Sequence, residues 1–126
     1  MALLKQNVDA FLKLLTKGEF VQAAEFFYAE DVNVFENQKL VRAGRKQCLE
    51  YEQGQLEHQT TPPVVKLRKV ALNEAMGYAF LEYTLRFTDI RNRPMRIDEV
   101  AVQSWEGDKI SEERFYYKGL IDEGDE

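Results

Sequence analysis

Two glutamates stand where an acidic side chain could meet an apolar interior. Glu36 ends the alternating segment 31–36, and Glu113 shares one face of a strand-like segment with Phe115 and Tyr117. A carboxyl group in apolar surroundings has a raised pKa, which suits proton transfer near neutral pH. Two such groups can also share a proton. General acid–base chemistry is therefore the first functional hypothesis.

Each of these acids also has an ordinary structural interpretation. Glu36 could be a solvated acid at a strand end, and Glu113 could form a salt bridge with Arg68 or Arg96. His58, the only histidine, could shuttle protons, but its place at the end of a predicted helix favours a surface capping role. One histidine and scattered acids do not predict a metal site, and no Ser-His-Asp set, phosphate-binding glycine loop or CxxC motif occurs. We expect no metal or other cofactor.

The composition is that of one small globular domain. The chain has 126 residues, is 44% hydrophobic and 31% charged, and carries a net charge of −5. It has no dense basic cluster of the kind that binds nucleic acid. No apolar run approaches the ~20 residues needed to span a bilayer, and no secretory signal is recognisable. Cys48 is the only cysteine, so no internal disulfide is expected, and these features predict a cytoplasmic protein without a membrane partner.

The elements that must position these side chains begin with helices. Apolar residues at helical spacing predict two N-terminal helices over residues 2–17 and 19–29. A third helix is predicted over residues 45–57, after short strands at 31–36 and 38–43. Helices first and long strands later are typical of the α+β class.

The second half of the chain is predicted to be an antiparallel sheet. Four segments rich in β-branched and aromatic residues form it, at 64–72, 76–88, 95–105 and 109–118. Strands this long must bend to cover a small domain, and helices on the concave side then leave a cone-shaped pocket. A single domain over residues 1–120 is expected, followed by an acidic flexible tail at 121–126.

One face of the segment 76–88 is apolar and suits a pocket wall, whereas the other is mixed. The mixed face carries Tyr78, Phe80, Glu82, Thr84 and Arg86, and Arg114 and Tyr116 follow on the last strand. Left open to water, these faces would expose much aromatic area. We therefore predict a homodimer formed through the sheet face.

Four short motifs carry a resemblance that extends over about residues 5–119. They are Thr16-Lys17-Gly18-Glu19, Tyr28-Ala29-Glu30-Asp31-Val32, Gly44-Arg45 and Trp105-Glu106-Gly107-Asp108-Lys109-Ile110. In this order and spacing they resemble the NTF2-like superfamily, within it the SnoaL-like polyketide cyclase and ketosteroid isomerase branch. The resemblance implies a cone with N-terminal helices packed on the concave face of a curved antiparallel sheet. Its predicted pocket residues are Phe11, Tyr51, Leu81, Tyr83, Glu113, Phe115 and Tyr117.

The resemblance to the isomerases also implies roles for particular residues. Glu36 matches the catalytic base, and Asp98 or Glu99 matches the acid that donates a hydrogen bond to the developing oxyanion. The donor tyrosine falls on Phe11, which has no hydroxyl, and Tyr51 matches an aromatic wall position. The implied activity is cofactor-free proton transfer beside a carbonyl, of isomerase or cyclase type, on a small hydrophobic or carbonyl-bearing ligand. The alternative is a non-catalytic ligand-binding or protein-interaction module of the same fold.

Overall fold

The computed structural model describes residues 3–125 of the chain. Three helices and seven strands form an α+β domain, as predicted. The helices are α1 (Leu4–Thr16), α2 (Phe20–Phe27) and α3 (Arg45–Glu57). The strands are β1 (Tyr28–Glu36), β2 (Lys39–Ala43), β3 (Val64–Asn73), β4 (Tyr78–Thr88), β5 (Pro94–Glu106), β6 (Lys109–Tyr116) and β7 (Ile121–Asp122), and a 3₁₀ turn covers Glu123–Asp125. Within these residues, no helix has the length and apolar character that a membrane crossing requires.

The strands form one sheet in the order β2-β1-β6-β5-β4-β3. The short strand β7 pairs with Met95 and Arg96 at the beginning of β5. Every pair is antiparallel except one, because β6 returns beside β1 in the parallel direction. The four long strands β3 to β6 pair antiparallel, as predicted, and the parallel pairing of β1 with β6 is a feature that was not predicted. A parallel pair needs a long connection, and here β2, α3, β3, β4 and β5 all lie between the two strands.

The long hairpins of the sheet are fixed by tight turns. Gly77, between β3 and β4, has a φ of 73°. A Cβ at this position would lie 2.8 Å from the carbonyl oxygen of Trp105. The amide of Trp105 donates a hydrogen bond of 2.8 Å to the Gly77 carbonyl, so this close approach locks the end of β5 against the β3–β4 turn.

A bulge in β6 changes which face one of its residues presents. Ser104 pairs with Glu112 and Trp105 pairs with Ile110, so Ser111 is an extra residue between them. Simple alternation placed Ile110 on the outer face beside Glu112. The bulge instead turns Ile110 into the core, where it is fully buried.

The hydrophobic core fills the narrow end of the cone between the helices and the sheet. An edge-to-face cluster of Phe11, Phe27 and Trp105 lies at its centre, with ring centroids 5.7–6.3 Å apart. Phe11 and Leu15 of α1 belong to this core and also border the open space beyond it. The helices thus close one end of the cone and leave the other end empty.

The C-terminal segment is not the flexible tail that was predicted for residues 121–126. Ile121–Asp122 adds a short strand to β5, and Glu123 then pairs with Arg86 and Arg96, each at 3.1 Å. The two arginines give the acidic segment a specific partner that its polar composition does not reveal. Residue 126 lies outside the described residues.

Candidate functional site

The open end of the cone holds a cavity of about 330 Å³, within the ~300–1,000 Å³ range of small-molecule sites. Helices α1 and α2 supply its floor, α3 closes one side, and the inner faces of β4, β5 and β6 form the opposite wall. All seven predicted pocket residues line the cavity: Phe11, Tyr51, Leu81, Tyr83, Glu113, Phe115 and Tyr117. Glu36 and Glu99 also line it.

The pairing of β4 with β5 decides which of two adjacent acids enters the cavity. Tyr83 stands opposite Glu99, and Thr84 stands opposite Asp98. Because Tyr83 faces inward, Glu99 faces inward with it. Asp98 lies on the outer face, where it accepts a hydrogen bond of 2.9 Å from Thr84 and pairs with Arg68 at 3.2 Å. The candidate Asp98 is therefore wrong as a cavity residue, and Glu99 is the acid of this pair that remains.

Glu99 combines burial with one hydrogen bond. The hydroxyl of Tyr83 donates to its Oε1 at 2.6 Å. Burial raises the pKa of Glu99 to about 7, although the Tyr83 hydrogen bond acts in the opposite direction. Burial and the nearby carboxyl also raise the pKa of Tyr83 well above its ordinary value, so its hydroxyl keeps its proton. Near neutral pH, Glu99 can thus serve as either proton donor or acceptor.

Glu36 has a different environment at the end of β1. It accepts hydrogen bonds from the Tyr117 hydroxyl at 2.5 Å and from Arg42 Nη1 at 3.4 Å. Arg42 is buried, and its guanidinium lies 3.8 Å from the centroid of the Tyr51 ring. The hydrogen bond to Glu36 is the main cause that raises the pKa of Tyr117 to about 12. Glu36 is therefore a charge-balanced carboxylate at the cavity wall.

The turn after β1 holds Tyr117 beside Glu36. Asn37, with a φ of 54°, donates from its side chain to the Tyr117 carbonyl at 3.1 Å and accepts from the Tyr117 amide at 3.2 Å. Asparagine tolerates this left-handed conformation better than most residues. The turn thus fixes the backbone of a residue that is 80 positions away in the chain.

Glu113 is the deepest of the acids, and 2% of its surface is exposed. Tyr28 donates to its Oε1, and Gln103 Nε2 donates to its Oε2 at 2.7 Å. Trp105 in turn donates to Gln103 Oε1 at 3.0 Å, which fixes the amide orientation because an indole nitrogen can only donate. Burial raises the pKa of Glu113, and the hydrogen bonds from Tyr28 and Gln103 counteract that rise. The expected alternative of a salt bridge to Arg68 or Arg96 does not occur.

Glu52 on α3 is a cavity acid that the sequence predictions missed. Glu52 is partly buried and lines the cavity, and burial raises its pKa to about 7, with Arg42 acting against the rise. No hydrogen bond to its side chain is found within residues 3–125. The signal was present: Cys48, Glu52, Gln55 and Gln59 recur at helical spacing, and Cys48 is buried. A glutamate in the stripe of a buried cysteine faces the interior.

Two further observations define what the site can hold. His58 lies outside the cavity wall, at the exposed end of α3, with Nδ1 2.7 Å from the Gly54 carbonyl oxygen. Among residues 3–125, no three His, Cys, Asp or Glu side chains are grouped closely enough to hold a metal ion. The chemistry available within this part of the chain is therefore that of carboxyl and hydroxyl groups in an apolar cavity, with one guanidinium.

Several solved structures are similar to this chain in fold. A protein from Mesorhizobium loti named as a SnoaL-like polyketide cyclase has a TM-score of 0.73 and 23% identity, over 93% of this chain and 100% of its own. The epoxide hydrolase/cyclase-like enzyme SalBIII, with a role in pyran ring formation in the polyether salinomycin, has a TM-score of 0.75 and 18% identity, over 91% and 90%. An NTF2-like protein of unknown function from Cytophaga hutchinsonii has a TM-score of 0.68 and 14% identity, over 90% and 97%.

These similarities concern the fold. No protein-family model matches the chain, and no curated protein matches it by sequence. At 14–23% identity over nearly the whole chain, the solved structures show that the chain has the NTF2-like cone. The fold predicted from the four sequence motifs is confirmed.

Proposed function

From the NTF2-like fold and the acids within its cavity, we propose that this protein binds a small, largely apolar ligand bearing a carbonyl oxygen and transfers a proton on it without a cofactor. The observation that carries the proposal is the contrast between Glu36 and Glu99. Both line one largely apolar cavity, but Glu36 is paired with a guanidinium and Glu99 is partly buried and accepts a hydrogen bond from a tyrosine hydroxyl. Two carboxyl groups in opposite environments are suited to opposite roles, one as base and one as acid.

Glu36 is the base in this proposal. Arg42 balances its negative charge, and the hydroxyl of Tyr117 holds one carboxylate oxygen in place. A carboxylate fixed in this way at the cavity wall can abstract a proton from the carbon next to a carbonyl. The C–H bond of the ligand breaks and an O–H bond forms on a Glu36 oxygen. The electron pair that is left moves toward the carbonyl, so negative charge develops on the ligand oxygen.

Glu99, held in place by the hydrogen bond from the Tyr83 hydroxyl, then stabilises that developing charge. The pKa of Glu99 is raised to about 7, so a substantial fraction of this group is protonated near neutral pH and can donate a hydrogen bond. Phe11 has no hydroxyl at the position where the isomerases carry a donor tyrosine. Tyr83, from strand β4 instead of helix α1, supplies a hydroxyl to the same cavity.

The non-catalytic module remains the second candidate, and it makes a different prediction about the cavity. A pocket used only for packing or protein contact would be filled by side chains or would carry one titratable group. Here the cavity is open and four carboxyl groups line it: Glu36, Glu52, Glu99 and Glu113. This observation favours proton-transfer chemistry over a purely structural role.

Hydrogen exchange in D₂O tests the proposal without knowledge of the natural ligand. A panel of cyclic ketones is followed by proton NMR, and loss of the signal from hydrogens beside the carbonyl reports proton abstraction. We expect wild-type protein to accelerate exchange of at least one ketone, and Glu36→Gln to lower that rate about 100-fold or more. Glu30→Gln, on the exposed part of the same strand, is the matched control. Binding of ketones with no exchange by wild-type protein would instead support the non-catalytic module.

We also propose that two copies associate through the outer face of the sheet. Phe80 and Tyr116 are exposed there, with 40% and 42% of their surface accessible to solvent. Ion pairs on the same face, such as Arg68 with Glu82 and Asp98, leave little net charge to oppose contact between two copies. Sedimentation at micromolar concentration should give a dimer of this 14.7 kDa chain. Phe80→Glu should yield a monomer, whereas Phe26→Glu, on an exposed part of α2, should remain dimeric; a wild-type monomer would contradict the proposal.

A further inference from the structure

We infer that the ligand carries a cationic nitrogen, such as a protonated amine, and that Glu52 is the residue that recognises it. This inference rests on the proposed use of the cavity for a small ligand, and it adds the class of that ligand. It follows from the charges that line the cavity and from the missing partner of Glu52.

The charges in the cavity wall do not balance. Four carboxyl groups line it, and within residues 3–125 the only guanidinium or ammonium group in the wall is that of Arg42. Arg42 is committed, because it pairs with Glu36 at 3.4 Å and stacks on Tyr51. Glu113 has a hydrogen bond to each carboxyl oxygen, and Glu99 accepts one from Tyr83. Among the described residues, Glu52 has no hydrogen-bond or salt-bridge partner, and Arg42 acts on it only at longer range.

Glu52 is partly buried, and a carboxyl without a partner in a largely apolar cavity is costly for the protein, so its presence there calls for an explanation. The free-energy cost of removing a charged carboxylate from water is offset only by an opposite charge or by hydrogen bonds. The accessible part of Glu52 borders the cavity, so a ligand placed there is the group that can provide either one. A cationic N–H donor provides both, because it forms a charge-assisted hydrogen bond.

The shape and lining of the cavity favour an organic cation over a bare metal ion. The acids are spread over α3, β1, β5 and β6, and within residues 3–125 no three of them converge to hold a metal. Aromatic rings surround them, including those of Tyr51, Phe115 and Tyr117. Arg42 already lies 3.8 Å from the centroid of the Tyr51 ring, so one wall of the cavity holds a cation on an aromatic face. An amine on an apolar frame matches both features.

The inference makes ligand affinity depend on pH. Burial raises the pKa of Glu52 to about 7. The groups that face it are Arg42 of β2, Glu36 and Tyr28 of β1, Tyr83 of β4, Glu99 of β5 and Glu113 of β6, beside Cys48 on its own helix. Below pH 7 the carboxyl is mostly neutral, and above pH 7 it is mostly charged. Affinity for an amine that stays protonated should thus rise about tenfold from pH 6 to pH 8, with release of a proton on binding.

The test compares ligands that differ only in charge. A bicyclic ketone, the primary amine of the same carbon frame and the matching carboxylic acid are titrated by calorimetry at pH 6 and pH 8. At pH 8 we expect the amine to bind at least about tenfold more tightly than the ketone, and the acid to bind most weakly. Glu52→Gln should abolish the preference for the amine and its pH dependence. Glu50→Gln, on the exposed side of the same helix, should keep both.

The outcomes separate this inference from the proposed function. If the ketone binds and exchanges its protons through Glu36 but the amine has no advantage, the inference is overturned and the proposed function stands. If Glu52→Gln keeps the amine preference, Glu52 is not the recognition group and the inference is overturned. If the variant unfolds, Glu52→Asp provides the same test, because it retains the charge with a shorter reach and should retain part of the preference. If none of the three compounds binds, both proposals fail.

Discussion

Asp98 and Glu99 are adjacent residues of β5, and the pairing of β5 with β4 gives them opposite surroundings. Glu99 lies inside the cavity beside Tyr83, and burial raises its pKa to about 7. Asp98 lies outside on the same strand, and the hydrogen bond from Thr84, followed by Arg96 and Arg68, lowers its pKa. Both face a hydroxyl donor across the same strand pair. The difference in their chemistry therefore comes from the low-dielectric cavity and the cations, and not from the hydrogen bond.

The largest difference between Glu99 and Asp98 should appear in the rate of ketone hydrogen exchange. Glu99→Leu removes the group that donates a hydrogen bond to the developing oxyanion in this proposal, so we expect the ketone exchange rate to fall about 10³-fold, or ~4 kcal/mol of barrier. Asp98→Asn, one residue away on the outer face, should change the rate by less than about twofold. The NMR exchange assay measures both variants. Equal losses in the two variants would mean that the cavity position of Glu99 has no catalytic consequence.

The pH dependence of that rate has a defined sign. The protonated form of Glu99 is the donor, so the contribution of this group should decline as pH rises through about 7. The Glu99→Gln variant carries an amide that donates at all pH values, and its residual rate should lack this decline. A wild-type rate that rises through the same pH range would assign the opposite role, that of a base, to Glu99.

Stability should respond to pH in opposite directions on the two faces. Glu99 and Glu52 have pKa values of about 7 in the folded protein and roughly 4.3 when unfolded, so the native state binds more protons between these values. Stability from these groups is present at low pH and is lost as pH rises toward 7. Each of these two glutamates should lower the free energy of unfolding by up to roughly 3 kcal/mol at pH 8 relative to pH 4.

The matched variants test that sign by urea unfolding at pH 5 and pH 8. Glu99→Gln should be more stable than wild type at pH 8 by about 2–3 kcal/mol and nearly equal to it at pH 5, because an amide has no charge to bury. Asp98→Asn should instead lose a small amount of stability at pH 8, since the lowered pKa of Asp98 stabilises the charged form. A change of the same sign in both variants at pH 8 would contradict the placement of Glu99 in the cavity and Asp98 on the outer face.

Much of this comparison could be predicted from the sequence. Alternation in β4 separates the inward Leu81 and Tyr83 from the outward Phe80 and Thr84, because successive strand residues point to opposite faces. The same rule placed Glu113 inward. It could not choose between Asp98 and Glu99, because the Arg-rich connection between β4 and β5 does not fix the register to one residue. Only the pairing of Tyr83 with Glu99 decides that choice.

Other features depended on long-range contacts that a local pattern does not record. The bulge at Ser111 turns Ile110 inward, and the parallel pairing of β6 with β1 joins strands that are far apart in the chain. Helix α3 has a weak apolar face, so Glu52 does not stand out beside the exposed acids around it. Tyr83 brings a hydroxyl to the cavity from β4, and the position of Phe11 on α1 gives no indication of it. Sequence patterns thus predicted the wall of the cavity better than its charges.

The hydrogen-bond chain around Glu113 offers a smaller effect. Gln103→Leu removes the donor to Glu113 and the acceptor for Trp105, and it leaves polar atoms buried without their partners. We expect a loss of about 1–3 kcal/mol in the free energy of unfolding, measured in urea at pH 7. Ser104→Ala, the neighbouring outer position on β5, is the control and should cost less than about 1 kcal/mol. A loss of the same size in both variants would mean that the hydrogen bonds linking Trp105, Gln103 and Glu113 make no particular contribution to stability.

The C-terminal segment offers the smallest effect and tests the outer face alone. Glu123 pairs with Arg86 and Arg96 at 3.1 Å, and all three side chains are partly exposed, so water and salt weaken the attraction. We expect Glu123→Gln to cost about 0.5–1 kcal/mol at low salt, with the difference from wild type shrinking in 0.5 M NaCl. The stability change of Glu99→Gln at pH 8 should persist at that salt concentration, because its charge is buried. Equal salt sensitivity of the two variants would contradict the division between a solvated outer face and a partly buried cavity wall.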